Sequence, residues 1–230
     1  MATGSPLGGD RRGAVRREFR WPIPLSDVHK YLDQWDEEAA GLVIWAMLAA
    51  DGLVYLTNAD ADMRAGVLHP SPSWQAVDIS HARWAATSAV AVLDLAAGAL
   101  GRLHLVPKPK GREYALADFF DRDQGKERRR ALTGPARHWI ETTWGNATYR
   151  TVRRARDPFT HGKMRMSVTV TLDSPLLGSS RTTFHVGPKG EPVDSQSLIG
   201  MAFRVVQVRF GAFLAELEAD GFLPASRAKS

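Results

Sequence analysis

At 230 residues, with 44% hydrophobic and 24% charged content, the chain can bury a sizeable core within ordinary one-domain size, and a second full domain would be cramped. It has no cysteine, which excludes a disulfide framework, a Cys-based zinc site and a thiol nucleophile, and which fits a cytoplasmic, reducing location. The formal charge is +5, but Arg11, Arg12, Arg16, Arg17 and Arg20 all lie near the N-terminus, so the remaining body is nearly neutral and generic polyanion binding by the whole surface is not supported.

Residues 1–22 read as a disordered basic arm, rich in Gly and Arg and without the continuous apolar core of a secretory signal. Residues 23–223 read as a single helical domain, and 224–230 as a disordered tail. The longest apolar stretches, Ala39–Ala50 and Ala89–Leu100, fall short of the run of about 20 residues that spans a bilayer. Asp51 closes the first and Asp94 sits inside the second, so both are expected to be buried bundle helices, with no membrane partner.

In chain order, Ser26 is a good N-cap for a first helix toward Asn58, with Val28, Tyr31, Leu32, Trp35, Ala39, Leu42, Val43 and Ala46 stepping by three and four. A connection holding Gly66, Pro70 and Pro72 follows, and Ser73 caps a second helix to about Leu103, apolar nearly all round and therefore the most buried. Pro107, Pro109 and Gly111 break the chain. Glu113–Arg122 then reads as a short helix, with a charged stretch from Arg122 to Arg130 behind it. Gly134 and Pro135 suit a helix start, and one helix is expected from Pro135 to Arg156.

Between Met164 and Leu172 the period changes to two, which predicts a half-buried strand, with Arg181–Val186 as its partner. Asp194 or Ser195 caps a final amphipathic helix through Ala219. The expected fold class is mainly α: a helical bundle with one inserted β-hairpin before the last helix.

The segment Tyr149-Arg-Thr-Val-Arg-Arg-Ala-Arg-Asp-Pro-Phe-Thr-His161 carries the functional signal. Arg150, Arg153, Arg154 and Arg156 crowd one helix end, and Arg suits bidentate phosphate contacts. Pro158 disfavours the α conformation at Asp157, which predicts a break there and places His161 just past a turn, off the helix of Arg156. Such a turn would offer free N–H groups to a phosphate.

The residues Arg156-Asp157-x3-His161 resemble the Arg-x4-6-His signature of the HEPN family, in which a polar residue commonly follows the Arg. The long opening helices and the late final helix are similar to that family too, whereas a β-hairpin is an addition to its minimal bundle. The resemblance implies a helical, often dimeric, metal-independent ribonuclease of toxin or defence type, with no cofactor and with RNA, a second copy and an antitoxin or regulatory protein as partners. It implies attack of a ribose 2′-hydroxyl on the adjacent phosphodiester. His161 would exchange the proton, Arg156 would stabilise the phosphorane and Asp157 would orient either one, leaving a cyclic phosphate. Arg150, Arg153 and Arg154 would contact RNA phosphates.

Arg64-x4-His69 and the pair Arg154 and His161 match the same spacing. The rival to catalysis is a helical dimer that binds a protein, nucleotide or nucleic acid through the same groove without turning it over. A different reading brings His29, His81 and His138, each on its own helix, to one metal, although no His-x3-His or Glu-x2-His pair supports it. The Trp residues fall mostly at core spacing, with base stacking open to one near the Arg cluster.

Overall fold

The computed structural model describes residues 16–19, 36–64, 74–109, 111–161, 165–171, 179–186 and 190–223. Its described part is mainly helical, with a small antiparallel sheet ahead of the last helix. Helices α1 (Glu37–Arg64) and α2 (Trp74–Leu103) form an antiparallel hairpin, pinned at one end by Arg64 with Asp78 and at the other by Glu38 with Arg102. On α1, Ala39, Val43, Ala46, Met47, Ala50 and Leu53 recur every three or four residues and are buried against α2. The expected start at Ser26 lies outside the described residues.

Helix α1 runs past Asn58 through residues of poor helical propensity, Asn58, Asp60 and Asp62. Tertiary pairing carries it: Arg64 Nε donates to Asp60 Oδ2 one turn back at 2.7 Å, and Arg64 Nη2 to Asp78 Oδ1 across the hairpin at 2.5 Å. Helix α2 is the centre of the fold, with Ala85, Ala89, Val92, Leu93, Ala96 and Leu100 all fully buried.

The short helix expected over Glu113–Arg122 is only a 3-10 turn, Leu116–Phe120. Asp118 fixes its start, its carboxylate accepting from Ala115 N at 2.8 Å, and the extended Asp121 ends it, its Oδ1 accepting from Asp123 N at 2.9 Å. The charged stretch behind it is itself a helix, α3 (Gly125–Ala131). Gly125 makes that possible: a Cβ there would lie 2.8 Å from the Phe119 carbonyl oxygen.

The single helix expected from Pro135 is two, α4 (Gly134–Gly145) and α5 (Ala147–His161). Asn146 divides them, its Oδ1 accepting from Tyr149 N at 2.9 Å and so capping a new start. Helix α5 then continues through Pro158 to His161, which corrects the expected break at Asp157. The proline has no N–H to offer Arg154, but Phe159 packs edge-on against Phe184 at 5.1 Å, and that contact ties the last turn to the sheet.

Strands β1 (Arg165–Thr171) and β2 (Ser179–Val186) pair antiparallel as expected, with Arg165 opposite His185. A third strand, β3 (Glu191–Asp194), was not legible in the sequence; it adds to β2 and leads directly into α6 (Ser195–Ala219). Asp194 caps α6 as expected, its Oδ1 accepting from Ser197 N at 2.9 Å. Helix α6 packs on α1, α2, α4 and α5 through Leu198, Ala202, Val206, Phe210, Phe213 and Leu217. By length and composition alone, Glu37–Arg64, Val77–Leu103 and Ser195–Ala219 are each apolar enough to cross a membrane, and they share one packed core.

Within the expected N-terminal arm, Arg16–Phe19 is docked. Asn58 clamps the backbone of Arg17 in both directions at 2.8 Å, and Phe19 stacks on Phe203 at 4.6 Å. Asn58→Ala and Phe19→Ala should each lower the thermal midpoint by roughly 2–4 °C, at about 1 kcal/mol apiece. Deleting Met1–Val15, which has no periodic apolar face, should leave it nearly unchanged. Calorimetry that found both substitutions silent would show that the clamp contributes nothing.

Candidate functional site

The candidate site is the exposed side of α5 and what lies beneath it. Tyr149, Val152 and Ala155 turn inward and are buried, which leaves Arg150 and Arg154 exposed and Arg153, Arg156 and Asp157 half-buried at the flank. Arg156 is held from two sides: Nη1 lies 3.2 Å from Asp157 Oδ1, and Nη2 lies 3.7 Å from Asp94 Oδ2 on α2. Asp94 also accepts from Leu116 N at 2.9 Å, so one carboxylate joins the central helix, the 3-10 turn and α5. Burial pushes the Asp94 carboxyl above its ordinary range, against the opposing pull of the Leu116 N–H and of Arg156 and Arg153. The Tyr149 phenol is raised too, by burial first and by Asp94 second.

An aromatic ladder flanks this cluster. Arg129 lies 4.8 Å over Phe120, Phe120 stacks on Trp144 at 4.7 Å and 8°, and Arg153 lies 4.4 Å over the far face of Trp144. Four elements therefore supply one cationic and aromatic edge: α3, the 3-10 turn, α4 and α5.

Continuity of α5 changes how the motif residues relate. Arg156 and His161 are five residues apart, about 140° around an unbroken helix, whereas Arg154 and His161 are seven apart, close to two full turns and one face. Arg150, Arg154, Asp157 and position 161 therefore form one stripe, spaced by four, three and four. The side chain of His161 lies outside the described residues.

No protein-family model, curated protein or solved structure matches this chain. The likeness to HEPN proteins thus stands on the quoted residues, and the functional reading on the geometry.

The remaining histidines are placed separately. His81 Nδ1 lies 3.4 Å from Asp60 Oδ1, His104 Nε2 lies 3.4 Å from Asp220 Oδ2 and edge-on to Phe222, and His185 Nδ1 lies 3.2 Å from Gly190 O. His138 is exposed on α4, and His29 and His69 lie outside the described residues. Among the described residues no group of three or more His, Cys, Asp or Glu is arranged to hold a metal ion. Arg64 of the competing match is committed to Asp60, Asp78 and Ser195.

Sequence reasoning overlooked Asp94 as part of the site, although the signal was present: a lone carboxylate inside an apolar run must find a donor. It overlooked the ladder as well, because Phe120 and Trp144 are distant in sequence and meet only through packing.

Asp94→Asn keeps an acceptor for Leu116 N while removing the buried charge. The folded-state pKa of Asp94 is raised, so its stabilising contribution is fully present below the ordinary value of 3.8 and is lost as pH rises through the folded value. The thermal midpoint of the wild type, relative to Asp94→Asn, should therefore fall as pH is raised from 3 to 7. A difference that is flat with pH would remove the argument for a penalised Asp94.

Proposed function

We propose that this protein binds RNA along α5 and cleaves it without a metal by 2′-hydroxyl attack, as its resemblance to HEPN ribonucleases implies. The observation that supports the reading best is the exposed stripe of Arg150 and Arg154 on the one unbroken helix that also carries His161. Two guanidiniums one turn apart along the stripe hold successive phosphates, and His161 moves the proton of the attacking hydroxyl. Arg154, on the same face as position 161, stabilises the phosphorane.

Arg156 has a different part in this scheme from that implied by the motif. Its charge is matched by Asp94 and Asp157, so it positions α5 and shapes the field around the phosphate. Arg153 and Trp144 form the floor on which an adjacent base rests once the guanidinium swings toward a phosphate. As the O2′–P bond forms the P–O5′ bond breaks, the 5′-oxygen leaves with the proton that His161 has taken, and a 2′,3′-cyclic phosphate remains.

The same observation that Arg156 is neutralised also favours the second reading, an RNA-binding helical protein that does not cleave. Incubating the purified protein with end-labelled RNA in chelator separates the two. Cyclic-phosphate-ended fragments are the expected result, and a mobility shift with intact RNA selects the binding protein. RNA that neither shifts nor is cut removes both.

A further inference from the structure

Helix α1 has a second apolar face that the described residues leave uncovered. Opposite its buried residues, Gly41, Trp45, Leu48, Gly52 and Tyr55 follow one another at intervals of four, three, four and three, the spacing of a seam between paired helices. Trp45 is 65% exposed, Leu48 44% and Tyr55 79%, so the largest side chains on this face stand in solvent. The two glycines between them are equally unexplained by the fold. Glycine is unfavourable inside a helix, and a Cβ at Gly41 or Gly52 would meet nothing within 4 Å.

We propose that this face of α1 pairs antiparallel with the same face of a second copy, about a two-fold axis through Leu48. The order of large and small residues carries the choice of occupant. With Leu48 against its own copy, residues whose numbers sum to about 96 lie opposite each other. Tyr55 then covers the partner's Gly41, and Trp45 enters the space above the partner's Gly52. Both aromatic side chains meet a glycine, Leu48 meets Leu48 on the axis, and the contact is isologous and closed. A parallel pairing sets Trp45 against Trp45 and glycine against glycine, which both clashes and leaves voids.

The area is adequate for a dimer of modest affinity. Trp84, 60% exposed, extends the patch. It lies eighteen residues from Arg102, five full turns and hence on the same side of α2, and Arg102 reaches over to Glu38 on α1. At 150–250 Å² for a fully buried aromatic side chain, these four residues remove roughly 500–600 Å² per protomer, near the lower bound of specific interfaces. Glu37, Glu38, Asp51 and Asp62 rim the face with negative charge, which disfavours an anionic bilayer as the alternative cover. Helix α2 stands between this face and α5, so the pairing does not depend on the RNA reading and leaves both arginine stripes free.

The test uses the full chain. Light scattering at micromolar concentration should report about twice 25.3 kDa. Gly52→Leu is the decisive variant: it fits the single protomer and favours the helix, yet fills the space that the partner's Trp45 needs, so it should be monomeric with an undiminished thermal midpoint. Because the chain has no cysteine, Leu48→Cys supplies a unique thiol on the two-fold axis and should cross-link to itself on mild oxidation. Tyr55→Cys, and Val208→Cys on the exposed side of α6, should not. A wild type that stays monomeric at all concentrations, a dimer that survives Gly52→Leu, or a monomer that floats instead with phosphatidylserine vesicles would each overturn the proposal.

Discussion

His161→Ala should reduce RNA cleavage by about 100 to 10,000-fold while leaving the thermal midpoint unchanged, because positioned proton transfer is worth that much to a phosphodiester transesterification. Arg154→Ala should cost a comparable factor, since it removes the exposed cation on the same helical face as position 161. The double substitution should be little worse than the poorer single one, as residues that act together in one transition state are strongly non-additive. Arg156→Ala separates positioning from catalysis. It should lower the thermal midpoint as well as the activity, because it leaves the largely buried Asp94 without its ion partner. His69→Ala should cleave like the wild type. If His161→Ala cuts RNA as fast as its parent, the ribonuclease reading is lost and the binding reading replaces it.

Arg64→Leu should be the most damaging substitution for stability, at about 3–5 kcal/mol or a fall of roughly 10 °C in the thermal midpoint. Arg64 is the one cation that the described residues place between Asp60, whose side chain is 5% exposed, and Asp78, at 0%. Without it neither oxygen of Asp78 has a donor among the described residues, for its Oδ2 is already buried without a hydrogen bond. Asp78→Leu alone should also destabilise, but adding it to Arg64→Leu should recover much of the loss, because an apolar pair replaces a buried ion pair at little cost whereas a lone buried charge is expensive.

Acid titration gives an independent check. Burial raises the Asp60 carboxyl, but hydrogen bonds from His81 and Arg64 outweigh burial and hold it below its ordinary 3.8. Its stabilising contribution is therefore present above pH 3.8 and is lost as pH falls through the lower folded value. The acid limb should be shallower in Arg64→Leu than in the wild type. A variant as stable as its parent at pH 7 would show that the network is dispensable.

The local periodicities of this chain carried most of the fold. Apolar residues at three and four along α1, α2 and α6, alternation over β1 and the Asp194 cap are properties of neighbouring residues, and the elements formed where those patterns run. The departures arise from single side chains that interrupt the apolar period: Asp121 and Asn146 act locally, ending the 3-10 turn and starting a new helix, whereas Phe184 is distant in sequence and ties the turn that carries α5 past its proline to the sheet. Strand β3 contains a proline and shows no alternation, so only the free edge of β2 identifies it as a strand.

The same division runs through the candidate site. The sequence by itself determined that four arginines crowd the end of one helix ahead of His161, that no thiol chemistry is available, and that Asp94 lies in an apolar helix where it needs a donor. Only the tertiary structure decided which arginines remain exposed. Asp94 comes from a helix more than fifty residues earlier in the chain, and by reaching Arg156 it leaves Arg150 and Arg154 on the open face. The unused face of α1 follows the same rule: its spacing is written in the sequence, but a helix apolar on both sides does not show which side turns inward, and packing against α2 and α6 settled that by burying Val43, Met47 and Leu53 and leaving Trp45, Leu48 and Tyr55 outside.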